Sequence, residues 1–172
     1  KFTFNPFQEN TYVLYDESKE AIIVDPGCFN SSEEKMLSTF ISENNLTPIK
    51  LVNTHAHIDH VLGNKFVADN YQIGLELYKS DYPMLKMAKT SADLYGVPYN
   101  ESPEPSAFLK EGELLKFGDT ALDIIFVPGH APDHVVFLNK SKKLLIGGDT
   151  LFKGSIGRTD LPGGNHEQLI EN

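Results

Sequence analysis

Cysteine, cationic side chains and long apolar runs are all scarce in this chain of 172 residues. The single cysteine, Cys28, excludes an intramolecular disulfide and is typical of proteins in a reducing compartment, so we expect a cytoplasmic protein. Its position in the segment "DPGCF" indicates a small packing residue and not a nucleophile. No apolar run approaches the roughly 20 residues of a membrane span, and the N-terminal segment lacks the charged-then-apolar pattern of a secretion signal.

The shortage of cationic side chains limits the partners that the protein can bind. Aspartate and glutamate number 24 against 15 lysines and arginines, which gives a formal net charge of −9. This balance argues against broad binding of nucleic acids or of anionic membranes. An anionic small molecule remains compatible with it, because a bound dication reverses the local electric field. The length and the 40% hydrophobic content are those of one globular domain with a sizeable core.

Two segments, Thr11 to Gly27 and His134 to Thr150, have the form of β-hairpins, with two apolar runs around a polar turn. Identical residues align between them at a constant offset of 123 positions, which suggests an internal duplication. Applied to the strand that ends at His55, the same offset places a matching strand end beyond Asn172. We therefore expect residues 1–172 to form a single domain that lacks its last strand and helix, together with one further ligand.

The remaining segments alternate between predicted strands and helices. Helices are predicted for "SSEEKMLSTFISENN", capped by Ser31 or Ser32, for "DHVLGNKFVADNY", for "SDYPMLKMAKTSADLYG", and from about His166 onward. Strands are predicted for "PIKLVN" and "IGLELY", with two more in "ELLKFGDTALDIIFVPGH", whereas "VPYNESPEPS" and the glycine-rich segment after Thr150 are predicted loops. This order predicts an α/β (α+β) fold, a four-layer αββα sandwich of two mixed β-sheets.

The segment "THAHIDH" concentrates four candidate metal ligands, which are His55, His57, Asp59 and His60. Side chains two apart in an extended segment point to the same side, so His55 and His57 can converge on one ion. Asp59 and His60 follow at a helix start and can serve a second ion close by. Imidazole and carboxylate ligands suit Zn(II), Fe(II) or Mn(II).

Two distant residues are the best candidates to complete these coordination spheres. His130 follows the predicted strand "LDIIFVPG", and Asp149 follows "LLIGG". Both lie at strand ends beside glycines, where the backbone can approach a site closely. The ordinary alternative is that all these groups are helix caps and solvated loop residues, but four candidates within six residues argue against it.

Other polar residues of these motifs are expected to have structural roles. His134 begins a strand and lies at most beside the ligands, and His166 enters a helix. Arg158 and Asp160, in the segment "GRTD", are expected to form a structural ion pair.

The three motifs "THAHIDH", "PGH" at His130 and "GGDTLF" around Asp149 resemble the metallo-β-lactamase superfamily, and "GDTLFKGSIGRTDLPGG" looks most like its small glyoxalase II-like hydrolases. The resemblance implies one or two Zn²⁺ ions, with iron or manganese as alternatives, and a histidine ligand in a later "GHG"-type segment that this chain lacks. It also implies a role for each candidate: His55, His57 and His130 bind the first metal, Asp59 and His60 the second, and Asp149 bridges them.

The resemblance implies a metal-dependent hydrolase that cleaves a small-molecule thioester by a metal-bound hydroxide, which Asp59 also orients. An alternative within the superfamily is an oxidoreductase similar to the persulfide dioxygenases, with one Fe(II) bound by His55, His130 and Asp149. A metal-stabilised module without activity is the third hypothesis, and a β-lactam substrate is a weaker variant of the first.

Overall fold

The computed structural model describes all 172 residues, from Lys1 to Asn172. Its strands are β1 (Phe2–Phe4), β2 (Glu9–Tyr15), β3 (Glu20–Val24), β4 (Thr47–Val52), β5 (Leu75–Tyr78), β6 (Pro105–Leu109), β7 (Leu114–Phe117), β8 (Thr120–Phe126), β9 (Val135–Asn139), β10 (Leu144–Ile146), β11 (Leu151–Phe152) and β12 (Ser155–Ile156). Its helices are α1 (Ser31–Glu43), α2 (Ile58–Val61), α3 (Asn64–Tyr71), α4 (Tyr82–Tyr95) and α5 (His166–Glu171), with a 3-10 turn at Lys79–Asp81. None of these helices combines the length and the hydropathy that crossing a membrane requires.

The strands form two sheets and a small ribbon. The larger sheet has six strands in the order β1-β2-β3-β4-β5-β6; its first three pair antiparallel and its last four parallel. The smaller sheet has four strands in the order β10-β9-β8-β7, and β11 pairs with β12. Helices α1 and α3 connect parallel neighbours, which is the connection that parallel pairing needs.

Strand β3 separates the two apolar cores of the molecule. Ala21 and Ile23 belong to the core that the larger sheet forms with α1, α3 and α4. Ile22 and Val24 point to the opposite face and pack in the core shared with the smaller sheet. All four side chains are fully buried, as the two-residue period of a strand covered on both faces demands. The predicted α/β class of stacked sheets and helices is therefore confirmed.

The smaller sheet corrects one detail of that prediction, because it is antiparallel throughout and not mixed. Its strands are consecutive in the chain. The segments that join them are short and contain no crossover helix, so parallel pairing is excluded.

Both predicted hairpins are present, as β2–β3 and β9–β10. Their registers differ by one residue, because Val13 pairs with Ile23 in the first hairpin whereas Phe137, not Val136, pairs with Ile146 in the second. A duplication of this hairpin would therefore have shifted by one residue in its turn.

Four local predictions were wrong. Helix α1 is capped by Asn30, whose side chain accepts hydrogen bonds from the backbone of Ser32 and Glu33, and not by a serine. The helix predicted across Gly63 is broken there into α2 and α3. The Gly63 amide donates to the Pro26 carbonyl at 2.7 Å, and a Cβ at this position would lie 2.5 Å from the sulfur of Cys28.

Strand β6 begins inside a segment predicted to be a loop, and β11 and β12 lie within the predicted glycine-rich loop. The first is an edge strand that starts at a proline, which is one of the few positions where a sheet tolerates that residue. The other two strands have only two residues each.

Candidate metal centre

The site lies where the parallel strands β3 and β4 end side by side. Val24 pairs with Val52, so the residues that follow, Asp25 on one strand and Thr54 on the other, meet at the same edge of the sheet. The Asp25 carboxylate accepts the Thr54 amide at 2.7 Å and the Thr54 hydroxyl at 2.6 Å. This edge, outside the carboxyl ends of parallel strands, is where open α/β sheets commonly form ligand sites.

Three of the predicted ligands converge directly beyond this edge, and we call His55, His57 and His130 the three-histidine group. Nε2 of His55 lies 3.0 Å from Nδ1 of His57, which lies 2.9 Å from Nε2 of His130. The pair from "THAH" thus faces one point, as the two-residue spacing predicts. The loop after β8 brings His130 to the same point from the smaller sheet.

Hydrogen-bond counting assigns the protons of this group. Nδ1 of His130 lies 2.8 Å from the carbonyl oxygen of Arg158, which can only accept, so this nitrogen carries the hydrogen. The single hydroxyl hydrogen of Thr54 goes to Asp25, so Thr54 accepts from Nδ1 of His55 at 3.0 Å. Nε2 of His55 and Nε2 of His130 therefore carry no hydrogen. Nδ1 of His57 lies between them and can donate a hydrogen bond to only one. A cation bound by all three nitrogens fits this donor set.

Three further predicted ligands form a second group, which we call the carboxylate-rich group: Asp59, His60 and Asp149. Nε2 of His60 lies 3.6 Å from the Asp59 carboxylate and 3.4 Å from that of Asp149. The second Asp149 oxygen lies 3.5 Å from Nε2 of His130, so this one carboxylate faces both groups. The side chains of Asp59 and Asp149 are 20% and 28% exposed, whereas that of His60 is 3% exposed. Solvent therefore reaches the site along the two carboxylates.

The two groups differ in the charge that they favour. Burial lowers the pKa of His55, and burial with the neighbouring histidines lowers the pKa of His57 to about 3. His130 also has a pKa lowered by burial. Burial lowers the pKa of His60 as well, but the surrounding carboxylates outweigh that effect and hold its pKa well above the usual value. Burial would raise the pKa of Asp149, but its contact with His60 lowers it to about 2.

Two more buried carboxyl groups lie behind His60, on the side away from solvent. Nδ1 of His60 lies 3.1 Å from Asp25 and 3.9 Å from Glu9. The Thr11 hydroxyl lies 2.9 Å from the carbonyl oxygen of Asp25 and 2.8 Å from Glu9, and it has only one hydrogen to donate. A protonated Glu9 that donates to Thr11 satisfies both contacts. Burial raises the pKa of Glu9 well above its usual value, which agrees with this assignment.

The turn between β1 and β2 braces the site from the N-terminal side. The side-chain amide of Asn5 donates to the backbone carbonyls of Gly27 and Asp59, both at 3.0 Å. The same turn carries Phe7, which is 41% exposed and packs edge-on against Tyr95 of α4 at 5.4 Å between ring centroids. One ring of this aromatic pair therefore belongs to the same turn as Asn5, which holds the backbone of Asp59.

The structure places the remaining predicted residues as expected. Arg158 and Asp160 form an exposed bidentate ion pair at 2.8 and 2.7 Å, and His166 is the exposed first residue of α5. Cys28 is buried, and burial raises the pKa of its thiol to about 12, which agrees with a packing role.

Sequence reasoning missed the residues that hold the candidate ligands in place. Asp25 and Thr54 orient His55, and Asn5 holds the backbone carbonyl of Asp59 in α2. A signal for Asp25 was present, since "IIVDPG" places an acidic residue at the end of a buried strand beside the predicted strand of "LVNTH". No local pattern distinguishes Asn5 from an ordinary turn residue.

Comparison with known proteins identifies the family. Residues 4–171 match the family model described as the metallo-beta-lactamase superfamily. Hydroxyacylglutathione hydrolase GloC of Haemophilus influenzae is 36% identical over 168 residues, which span 95% of this chain and 76% of that protein. The structure of the BLEG-1 B3 metallo-beta-lactamase aligns with a TM-score of 0.86 at 34% identity, over 98% of this chain and 79% of that one. The structure of TTHA1623 in a di-iron-bound form aligns with a TM-score of 0.87 at 30% identity, over 99% and 81%. The chain therefore belongs to the metallo-beta-lactamase superfamily.

Proposed function

We propose that this protein is a metal-dependent hydrolase of small-molecule thioesters. The observation that carries the proposal is the pair of adjacent ligand groups that share Asp149, whose two oxygens lie 3.4 Å from His60 and 3.5 Å from His130. Similarity to a protein named hydroxyacylglutathione hydrolase supports a thioester as the substrate class.

We propose Zn²⁺ as the cofactor, with one ion held by the three-histidine group and a second by the carboxylate-rich group. Ions in such a site lower the pKa of a water molecule towards neutrality and polarise a carbonyl group. Iron is an alternative, since a relative is described in a di-iron-bound form. The donor set of imidazoles and carboxylates suits both metals.

The side chains of the site have distinct tasks in this reaction. Thr54 and the Arg158 carbonyl keep His55 and His130 in the tautomer whose Nε2 faces the metal position. The partly exposed carboxylate of Asp59 lies beside His60 at the solvent-facing side, where it can accept a hydrogen bond from the attacking water. The leaving thiolate needs no strong protein acid, because thiols have a pKa of only about 8.5.

An assay on the zinc-loaded protein tests this proposal. We expect turnover of S-lactoylglutathione or of another acyl thioester in a panel, and loss of turnover on dialysis against a chelator. His57→Ala should greatly reduce turnover, whereas the matched control His166→Ala, which removes an exposed histidine at the start of α5, should retain it. Absence of turnover on every thioester, with metal confirmed in the protein, would refute the thioester assignment.

A mononuclear iron oxidoreductase is the second candidate. The contact of 3.5 Å between Asp149 and His130, with His55 beside them, also brings together two histidines and one carboxylate, the ligand set of non-haem Fe(II) oxygenases. Metal analysis of protein purified without added metal, combined with oxygen uptake on glutathione persulfide, separates the two functions. Bound iron with oxygen uptake would replace the hydrolase assignment.

A further inference from the structure

His134 lies at the centre of the site without belonging to either ligand group. It is fully buried immediately before β9, and its ring stacks on that of His55 with centroids 4.5 Å apart and planes 26° apart. Its Nε2 accepts the backbone N–H of Asp149 at 3.1 Å. The ring therefore contacts one candidate ligand by stacking and holds another by a hydrogen bond.

The hydrogen bond fixes the protonation of this ring. A backbone amide can only donate, so Nε2 of His134 carries no hydrogen, and the hydrogen of the neutral imidazole is on Nδ1. Nδ1 is buried and has no hydrogen-bond partner. An apolar ring would avoid the cost of this unpaired group, so packing alone does not explain an imidazole at this position.

The turn that presents Asp149 rests directly on the imidazole. Gly148 has a φ of +49°, and a Cβ at this position would lie 2.5 Å from Nε2 of His134 and 2.6 Å from Oγ1 of Thr54. The turn is closed by Thr150, whose amide and hydroxyl both donate to the Gly147 carbonyl. Only a residue without a side chain permits this approach, and it brings the Asp149 amide within reach of the ring.

We infer that His134 is a positioning residue that sets the place of the Asp149 carboxylate between His60 and His130. The contact holds the backbone of Asp149, whose two oxygens face the two ligand groups. Because the Asp149 carboxylate faces both groups, an error in its position weakens the carboxylate-rich side, where it is one of three proposed ligands. The inference rests on the proposal that these groups bind metal.

Two substitutions separate the hydrogen bond of His134 from its packing. His134→Phe keeps an aromatic ring to stack on His55 and removes the acceptor. His134→Gln places an amide oxygen near the position of Nε2 and restores an acceptor without the ring. A purely structural role predicts that the two variants fail together, or that the glutamine variant is the more damaged.

Two measurements on the full chain test the inference. Zinc titration by calorimetry should show the second equivalent bound about 10- to 100-fold more weakly by His134→Phe, with the first within about twofold of the parent and the glutamine variant close to the parent. In the metal-free protein, hydrogen exchange of the Asp149 amide should be at least about tenfold faster in the phenylalanine variant and restored by glutamine.

The exchange measurement does not need bound metal, so it keeps this inference separate from the proposed function. Protection of the Asp149 amide that depends on the acceptor at position 134, in a protein that binds no zinc, would refute the proposed metal site and uphold the positioning role. Equal exchange of the Asp149 amide in the parent and both variants would overturn the inference, and so would equal loss of both zinc equivalents in both variants.

Discussion

The three-histidine group and the carboxylate-rich group lie side by side, but the pKa values of their histidines are shifted in opposite directions. Burial and mutual proximity keep the histidines of the first group neutral, and their ring nitrogens face one another. In the second group, carboxylates surround His60 and raise its pKa, so that without metal a proton occupies the place of a cation. The comparison predicts that metal finds the first group already neutral, whereas in the second group it displaces a proton from His60.

Loss of Asp149 should have the largest effect on the site, because its carboxylate faces both groups. We expect Asp149→Ala to reduce kcat/KM by about 10,000-fold, which corresponds to the several kcal/mol that metal-ion catalysis contributes. Metal analysis should show less than the parent's zinc content. The control Asp69→Ala removes an exposed carboxylate from α3 and should leave both values unchanged. Full activity of the Asp149 variant would contradict the shared role.

Single histidine losses should separate the two groups. His57→Ala should reduce kcat/KM about 1,000-fold and remove the tightly bound metal, because it takes one of three converging nitrogens. His60→Ala should retain that metal and reduce kcat/KM about 100-fold, because it affects the second group only. Metal titration of the two variants checks the contrast, and identical losses in both would show that the groups act as one site.

The pH dependence of stability should reveal the same contrast in the metal-free protein. His55 has a folded-state pKa below its usual value of 6.5, so the unfolded chain takes up the proton first as the pH falls. Each such histidine destabilises the fold by about 1.4 kcal/mol for each pH unit below about 6.5.

His60, with its raised pKa, has the opposite sign: its contribution is complete below about 6.5 and is lost as the pH rises through the folded-state value. Urea unfolding between pH 6.5 and 5 should therefore show a net loss of stability towards acid, because the four histidines with lowered pKa outnumber Glu9 and Asp81, the buried carboxyl groups whose raised pKa has the opposite effect. Between pH 8 and 6.5, where those histidines contribute nothing, His60→Gln should gain less stability towards acid than the parent. An equal or larger gain in the variant would refute the assignment of charge to His60.

The smallest expected effect concerns the support of the first group. Thr54→Val has nearly the same volume but loses the hydroxyl that links His55 to Asp25. We expect about tenfold weaker binding of the first metal ion, within the range found when such supporting groups are removed. Competition with a chromophoric chelator measures this affinity. Thr3→Val, at an exposed hydroxyl of β1, serves as the control, and equal affinities in the two variants would contradict the role of Thr54.

Local patterns were sufficient to predict which side chains meet at the site. The two-residue spacing of His55 and His57, and the glycines beside His130 and Asp149, predicted that these groups would converge, and the structure brings them together. That they bind metal stays a prediction. The same patterns gave both hairpins, because alternating apolar residues around a polar turn determine such pairs locally.

The features that were missed depend on contacts distant in sequence. The break at Gly63 follows from a hydrogen bond to Pro26 and from the sulfur of Cys28, neither of which a helical pattern contains. Strand β6 forms because β5 offers a free edge, not because of its own composition. The roles of Thr54 and His134 arise where loops from both sheets meet, so only the assembled structure shows them.

The single thiol of Cys28 allows local opening of the structure near α2 and α3 to be measured by chemical modification. Its sulfur lies beneath Gly63, at the joint between α2, which carries Asp59 and His60, and α3. A thiol-modifying reagent can reach the sulfur only when the segment around Gly63 opens locally. Until then the thiol is buried, and its raised pKa of about 12 keeps it protonated. The rate of labelling therefore measures how often the segment that carries Asp59 and His60 moves away from Cys28, and no cysteine has to be engineered for the measurement.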